Sequence, residues 1–160
     1  AKYDAASWGA ALAVDRLRGG PGAFAGLTAS HLGDSRVSAN GYVKLGATKL
    51  GGGVVRRNND ASPTPESDLW YVGVTHPVTP QFIVDAQLAR LNIKDSANQA
   101  TLLALRGSYL LSKRTLVYAT AGRLANDGTL ALSVSAGAPG SNPVAGDSQT
   151  GVMLGIRHVF

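Results

Sequence analysis

Apolar and polar residues alternate along most of this 160-residue chain. The stretch Gln149 to Phe160 is the clearest case. Val152, Leu154, Ile156 and His158 fall on one set of alternate positions, and Gly151, Met153, Gly155, Arg157 and Val159 on the other. A period of two is the side-chain period of a β-strand, whose successive residues point to opposite faces. The same rhythm sets Trp8, Ala10, Leu12 and Val14 against Gly9, Ala11, Ala13 and Asp15. It sets Trp70, Val72 and Val74 against Tyr71, Gly73 and Thr75, and Leu103, Leu105 and Tyr109 against Ala104, Arg106 and Ser108. The pattern predicts strands over residues 7–16, 23–31, 41–48, 54–58, 68–76, 81–93, 101–111, 115–124 and 149–160. The facing of 23–31 and 115–124 is left open, and of the adjacent Arg56 and Arg57 one must point inward.

These segments are about ten residues long, the length a tilted strand needs to cross a bilayer. Their connections alternate in kind. Compact turns are expected at RGGPG (18–22), KLGGG (49–53), PVTP (77–80) and SKR (112–114), where glycine and proline set the backbone. More polar or longer loops are expected at GDSRVSAN (33–40), DASPTPES (60–67), KDSAN (94–98) and 126–148, with Leu130–Ala136 as a further short strand candidate. Short turns at one end and long loops at the other predict an all-β fold, a transmembrane antiparallel β-barrel with apolar residues toward lipid and polar residues toward a wet lumen. The rival is a soluble β-sandwich binding protein, whose second sheet would cover the apolar face. Nine strands leave an unpaired edge, which hydrocarbon does not tolerate. The chain is therefore expected to be the C-terminal part of one larger barrel domain, or to have its missing strands supplied elsewhere.

Composition narrows this further. Mean hydropathy is +0.03 and no apolar run approaches the roughly 20 residues of a membrane helix. Cysteine is absent, so no disulfide or thiolate metal site is available. The net charge of +5 is spread along the chain without the basic and aromatic clusters of nucleic-acid binders, so no nucleic-acid partner is expected. No basic-then-apolar signal segment opens the sequence, so Ala1 is expected to begin a mature protein or a fragment.

Candidate chemistry is sparse. His31, His76 and His158 lack metal-ligand spacing, and there is no nucleophile-elbow, P-loop or dinucleotide glycine pattern, so neither enzyme activity nor a cofactor is expected. Charge on the lumen face remains. Lys44, Arg106, Arg157 and either Arg56 or Arg57 are expected to line the pore and favour anions; Arg123 belongs to a strand whose facing is open. The alternative is that these cations balance Asp15, Asp85 and lipopolysaccharide phosphates at the outer rim. Trp8, Trp70, Tyr109 and Phe160 are candidates for the interfacial aromatic girdles. Asp34, Asp60 and Asp127 are candidates for Ca²⁺ or lipopolysaccharide contacts at the outer loops, although nothing in their spacing is specific.

The wording of three segments adds a family. LLSKRTLVYA at 110–119, GDSQTGVMLGIRHVF at 146–160 and YVKLGAT at 42–48 resemble the general diffusion porins of Gram-negative outer membranes, above all the β-proteobacterial group. The resemblance implies a trimer of 16-stranded barrels, of which this chain is roughly the last nine strands. It also implies that the constriction loop lies in the N-terminal half, outside the chain. The terminal strand resembles the signal read by the barrel-insertion machinery, which implies a biogenesis role for Val152, Leu154, Ile156 and Phe160; His158 departs from the more hydrophobic pattern there. The expected function is passive diffusion of small hydrophilic solutes, with a preference for anions. A plugged structural or adhesive barrel in the same membrane is the alternative.

Overall fold

The computed structural model describes residues 1–20, 27–135 and 140–160 of the chain. Its strands are β1 (Lys2–Asp4), β2 (Trp8–Arg18), β3 (Gly33–Leu45), β4 (Thr48–Asn59), β5 (Glu66–Pro77), β6 (Phe82–Ile93), β7 (Gln99–Leu110), β8 (Thr115–Asp127) and β9 (Gln149–His158). They form one nine-stranded sheet in chain order, every neighbouring pair antiparallel. This meander follows from the alternation itself. Each strand has one apolar face, and a one-residue slip against a neighbour would turn that face to the other side of the sheet.

Among the described residues the sheet has no interior of its own. Leu27, Ala100 and Leu124 are the buried hydrophobics, while Val14 is 73 % exposed and Leu154 is 77 % exposed. A sandwich would bury such positions under a second sheet, and the described residues form no second sheet. The soluble alternative fails on this point. The apolar set can be followed through the register, Leu12, Ala39, Val54 and Trp70 across β2 to β5 and Val72, Leu88 and Leu103 across β5 to β7. That is the outer surface of a membrane barrel wall.

Three expectations of the first third of the chain are corrected. GDSRVSAN is not a loop but the first half of β3, with Asp34, Arg36, Ser38 and Asn40 on one face and Ser35, Val37 and Ala39 on the other. Polar side chains at alternate positions there face a wet surface, so polarity alone is no turn signal. The glycines of KLGGG are not a turn but lie inside β4. The chain reverses instead at residues 46–47, where Gly46 takes the left-handed conformation, with φ of 59°. Of the strand expected at 23–31, residues 23–26 lie outside the described set and 27–31 carry no strand. The count of nine strands is kept because the short β1 replaces it.

From the reversal at 46–47 onward the connections keep the expected order of short and long. The tight ends are 5–7, 46–47, 78–81 and 111–114, and the longer ones are 19–32, 60–65, 94–98 and 128–148. Of RGGPG, Arg18 ends β2 and residues 21–22 lie outside the described set.

Candidate functional site

The polar face of the sheet is where chemistry can be arranged. By the register, Lys2, Arg36, Lys44, Lys49, Arg57, Arg106 and Arg157 share it with Asp4, Asp15, Asp34 and Asp85. Cations are in excess, but they differ in what holds them. Arg57 grips Asp34 through Nε at 2.9 Å and Nη2 at 2.7 Å, and Arg36 reaches the same carboxylate at 3.2 Å. Asp34 is only 2 % exposed, so its charge is spent beneath the two guanidinium groups. Arg106 donates to Asp85 from Nε and Nη2, at 3.0 and 2.9 Å, and Thr75 donates its hydroxyl to the other oxygen at 2.7 Å. Arg106 and Asp85 thus form a locally neutral unit.

Near the tight turns Lys44 and Lys49 make no ion pair among the described residues, although Asp4 lies nearby. Lys44 and Lys49 face each other directly across β3 and β4. Like charges opposite one another are unfavourable in a sheet. Both are soothed by neutral groups: Lys44 Nζ donates to the Ala6 carbonyl at 3.3 Å, and Lys49 Nζ lies 4.1 Å from the centre of the Tyr42 ring. Beside them Lys2 is paired with Asp4 at 2.6 Å, and Tyr42 donates its hydroxyl to Asp4 at 3.1 Å. At the far side of the sheet Arg157 shares the same end, with no ion pair among the described residues.

Three tyrosines of this face lie against glycines of the next strand. A β-carbon on Gly9 would sit 2.5 Å from the Tyr42 ring, one on Gly53 would sit 2.7 Å from the Tyr71 hydroxyl, and one on Gly155 would run into the Tyr118 ring. The glycines of β4 that read as a turn thus include a seat for an aromatic ring.

Between β8 and β9, described residues of the connection 128–148 fold back over the same face. Val134 seats its methyl groups where β-carbons of Gly122 and Gly151 would otherwise be, at 3.3 and 2.8 Å. Buried Asn126 donates to the carbonyls of Leu132 and Asp147 at 3.0 and 2.9 Å, and Gln149 accepts from the Val134 amide at 2.8 Å while donating to the Ser141 carbonyl at 2.7 Å. Leu130–Ala136 was a strand candidate; residues 130–135 are not in a strand, and 136 lies outside the described set.

The remaining candidates fall as follows. Lys44, Arg57, Arg106 and Arg157 are on the polar face. Arg56 is not: its register partners Val37 and Asp68 put it on the apolar face, where it binds Asp68 at 2.8 Å, which corrects its place among the pore-lining set. Arg123, opposite Leu103, is on the apolar face too. Trp8, Trp70 and Tyr109 are all on the apolar face and half exposed, Trp8 and Tyr109 toward the tight turns and Trp70 toward the long loops. Phe160 follows β9, its ring edge-on to His158 at 4.7 Å, and Val152, Leu154 and Ile156 stand exposed on the apolar face. Asp34 is occupied by arginines, Asp60 accepts from the Gly33 amide at 3.1 Å, and Asp127 ends β8; among the described residues no group of three or more suitable side chains could hold a metal ion. Arg36 and Lys49 were missed because they sat in a misread loop and a misread turn. Carrying the alternation of Lys44 back through residues 33–40 would have placed Arg36, whereas Lys49 needed the turn at 46–47, where the parity changes.

Comparison with known proteins adds to this geometry. A family model described as Gram-negative porin matches residues 1–129. Among solved structures, the anion-selective porin from Comamonas acidovorans superposes with a TM-score of 0.82 at 26% identity, covering 99% of this chain and 47% of that porin. The chain thus spans about half the length of that porin. No curated protein matches.

Proposed function

This chain belongs to the Gram-negative porin family of outer-membrane β-barrels, and we propose that its nine strands form part of the wall of a passive diffusion channel for small hydrophilic solutes. One observation carries the reading: the sheet separates a continuous apolar surface from a continuous polar one, strand after strand, with only hydrogen-bonded backbone between them. In hydrocarbon the first surface needs no cover, and the second then bounds water.

The channel prefers anions. The unpaired Lys44, Lys49 and Arg157 supply fixed positive charge, and within a Debye length of roughly 10 Å that charge raises the local anion concentration. The anion selectivity of the Comamonas porin supports the same direction. No covalent step, cofactor or metal enters this function.

The free edges of β1 and β9 favour a larger closed barrel, in which this chain is the C-terminal part of one domain. An unpaired backbone group in lipid costs several kcal/mol, so strands from elsewhere in the full-length protein must pair both edges. We further propose a homotrimer surrounded by outer-membrane lipid and lipopolysaccharide. Insertion would use the terminal strand, with Val152, Leu154, Ile156 and Phe160 read by the barrel-insertion machinery. A second reading, the plugged barrel, is favoured only by the segment seated through Val134, which covers part of one end of the polar face.

The test is conductance of the full-length protein in a planar bilayer under a KCl gradient. Steady ohmic steps with a reversal potential on the chloride side are expected. Absence of steps would favour the plug, and a potential on the potassium side would defeat the charge argument.

A further inference from the structure

A line of arginines crosses the apolar face near the long-loop rim. Arg16 in β2, Arg56 in β4, Arg90 in β6 and Arg123 in β8 are all exposed on the face that carries Trp8, Val72 and Leu105. Their levels can be compared by following the register back to β2. Arg56 leads through Val37 to Val14, Arg90 through Trp70, Val54 and Ala39 to Leu12, and Arg123 through Leu103, Leu88, Val72, Gly52 and Gly41 to Ala10. From Arg16 the line therefore steps down by about one residue per strand, a stagger of the kind that closing a barrel requires.

The ends of the strands step down at the same rate. β2 ends at Arg18, whereas Gln149, which starts β9, traces through the sheet to Ala11. One residue of about 3.4 Å for each strand spacing of about 4.8 Å is a tilt of roughly 35°, within the range of membrane barrels. Once the barrel stands upright, the four arginines are level, with successive members about 12 Å apart. Each has an apolar neighbour two positions further from the rim: Val14, Val54, Leu88 and Ala121. The line therefore marks the border of the greasy band.

A level line of cations calls for a planar partner. The surface of another protein subunit meets side chains at many heights, whereas lipid headgroups lie in one plane. The guanidinium groups are also under-supplied with negative charge. Arg56 has Asp68, but Arg90 is held by the neutral amides of Asn92 and Gln99, and among the described residues no carboxylate pairs with Arg16 or Arg123. The opposite rim of the same face carries Trp8, Tyr109, His76 and His158 and no arginine or lysine within the strands. We propose that Arg16, Arg56, Arg90 and Arg123 form a belt that binds the phosphate groups of outer-leaflet lipopolysaccharide. The planar fork of arginine matches two phosphate oxygens at once, and at the edge of hydrocarbon that bond replaces the water each cation has lost. This belt rests on the sheet standing in the outer membrane and not on solute passage.

The test uses the full-length protein refolded in detergent, titrated with fluorescent lipopolysaccharide at low salt. Combining Arg16→Gln, Arg56→Gln, Arg90→Gln and Arg123→Gln should weaken binding about tenfold or more while leaving single-channel conductance unchanged, which separates the belt from the channel proposal. Enzymatically dephosphorylated lipopolysaccharide should bind the parent protein as weakly as the intact lipid binds the variant. Equal affinity of variant and parent, or of the two lipids for the parent, would overturn the proposal. So would dissociation of the variant's oligomer in lipid-free detergent, which would assign the line to a subunit contact. If the fourfold variant does not refold, the dephosphorylated lipid on the parent and Arg123→Gln alone still decide the matter.

Discussion

The two rims of this sheet handle charge in opposite ways. At the long-loop rim the polar-face arginines are tied to a carboxylate, Arg36 and Arg57 closing on Asp34, while the apolar face carries Arg16 and Arg123 without an ion pair among the described residues. At the tight-turn rim the polar face keeps Lys44, Lys49 and Arg157 without an ion pair among the described residues, while the apolar face is aromatic. Counting cations on a face is therefore a poor guide to what the face does. Pairing decides whether a charge acts on passing ions, and depth decides whether a charge is tolerated in lipid.

Depth gives the largest expected effect. Leu105→Arg, in the middle of the apolar face, should destabilise the folded barrel by roughly 2–4 kcal/mol, whereas Ala104→Arg on the polar face next to it should cost less than about 1 kcal/mol. Arg90→Leu at the rim should also change stability by less than about 1 kcal/mol. Urea titrations of folding into lipid vesicles measure all three, and equal effects of the two insertions would break the distinction between faces. Pairing comes next. Lys44→Gln combined with Lys49→Gln should move the reversal potential clearly toward zero, while Asp85→Asn combined with Arg106→Gln, which removes a paired unit, should move it little. If the second pair of changes shifts selectivity as much as the first, local neutralisation is the wrong account. The most local effect belongs to the segment at the long-loop rim. Val134→Ala removes two methyl groups from a seat made by two glycines and should loosen residues 128–148 by about 1 kcal/mol, read as faster amide exchange there with the rest of the sheet unchanged.

Most strands and the identity of the lipid face were legible because alternation is a direct imprint of a sheet between two solvents. The runs Trp8 to Val14, Trp70 to Val74 and Leu103 to Tyr109 carry it without interruption. What failed was punctuation. Gly51 to Gly53 look like a turn, yet they lie mid-strand beside Tyr42 and Tyr71, and the reversal is made by a single left-handed glycine upstream. Residues 33–40 look like a loop because both faces of β3 use small or polar residues there. The choice between Arg56 and Arg57 could not be made until the turn at 46–47 fixed the parity of β4, and the belt was invisible because it is a diagonal that only the register reveals.

In the proposed channel the three tyrosines against Gly9, Gly53 and Gly155 bear on the calibre of the passage. A flat phenol takes up little room in the lumen, and it lies flat only because the neighbouring strand offers hydrogen where any other residue offers carbon. One methyl on Gly9 or Gly155 would meet the tyrosine ring, and one on Gly53 would meet the Tyr71 hydroxyl and the Ala39 carbonyl. The aperture is thus set partly by atoms that are missing, and it would narrow with no change to its charge.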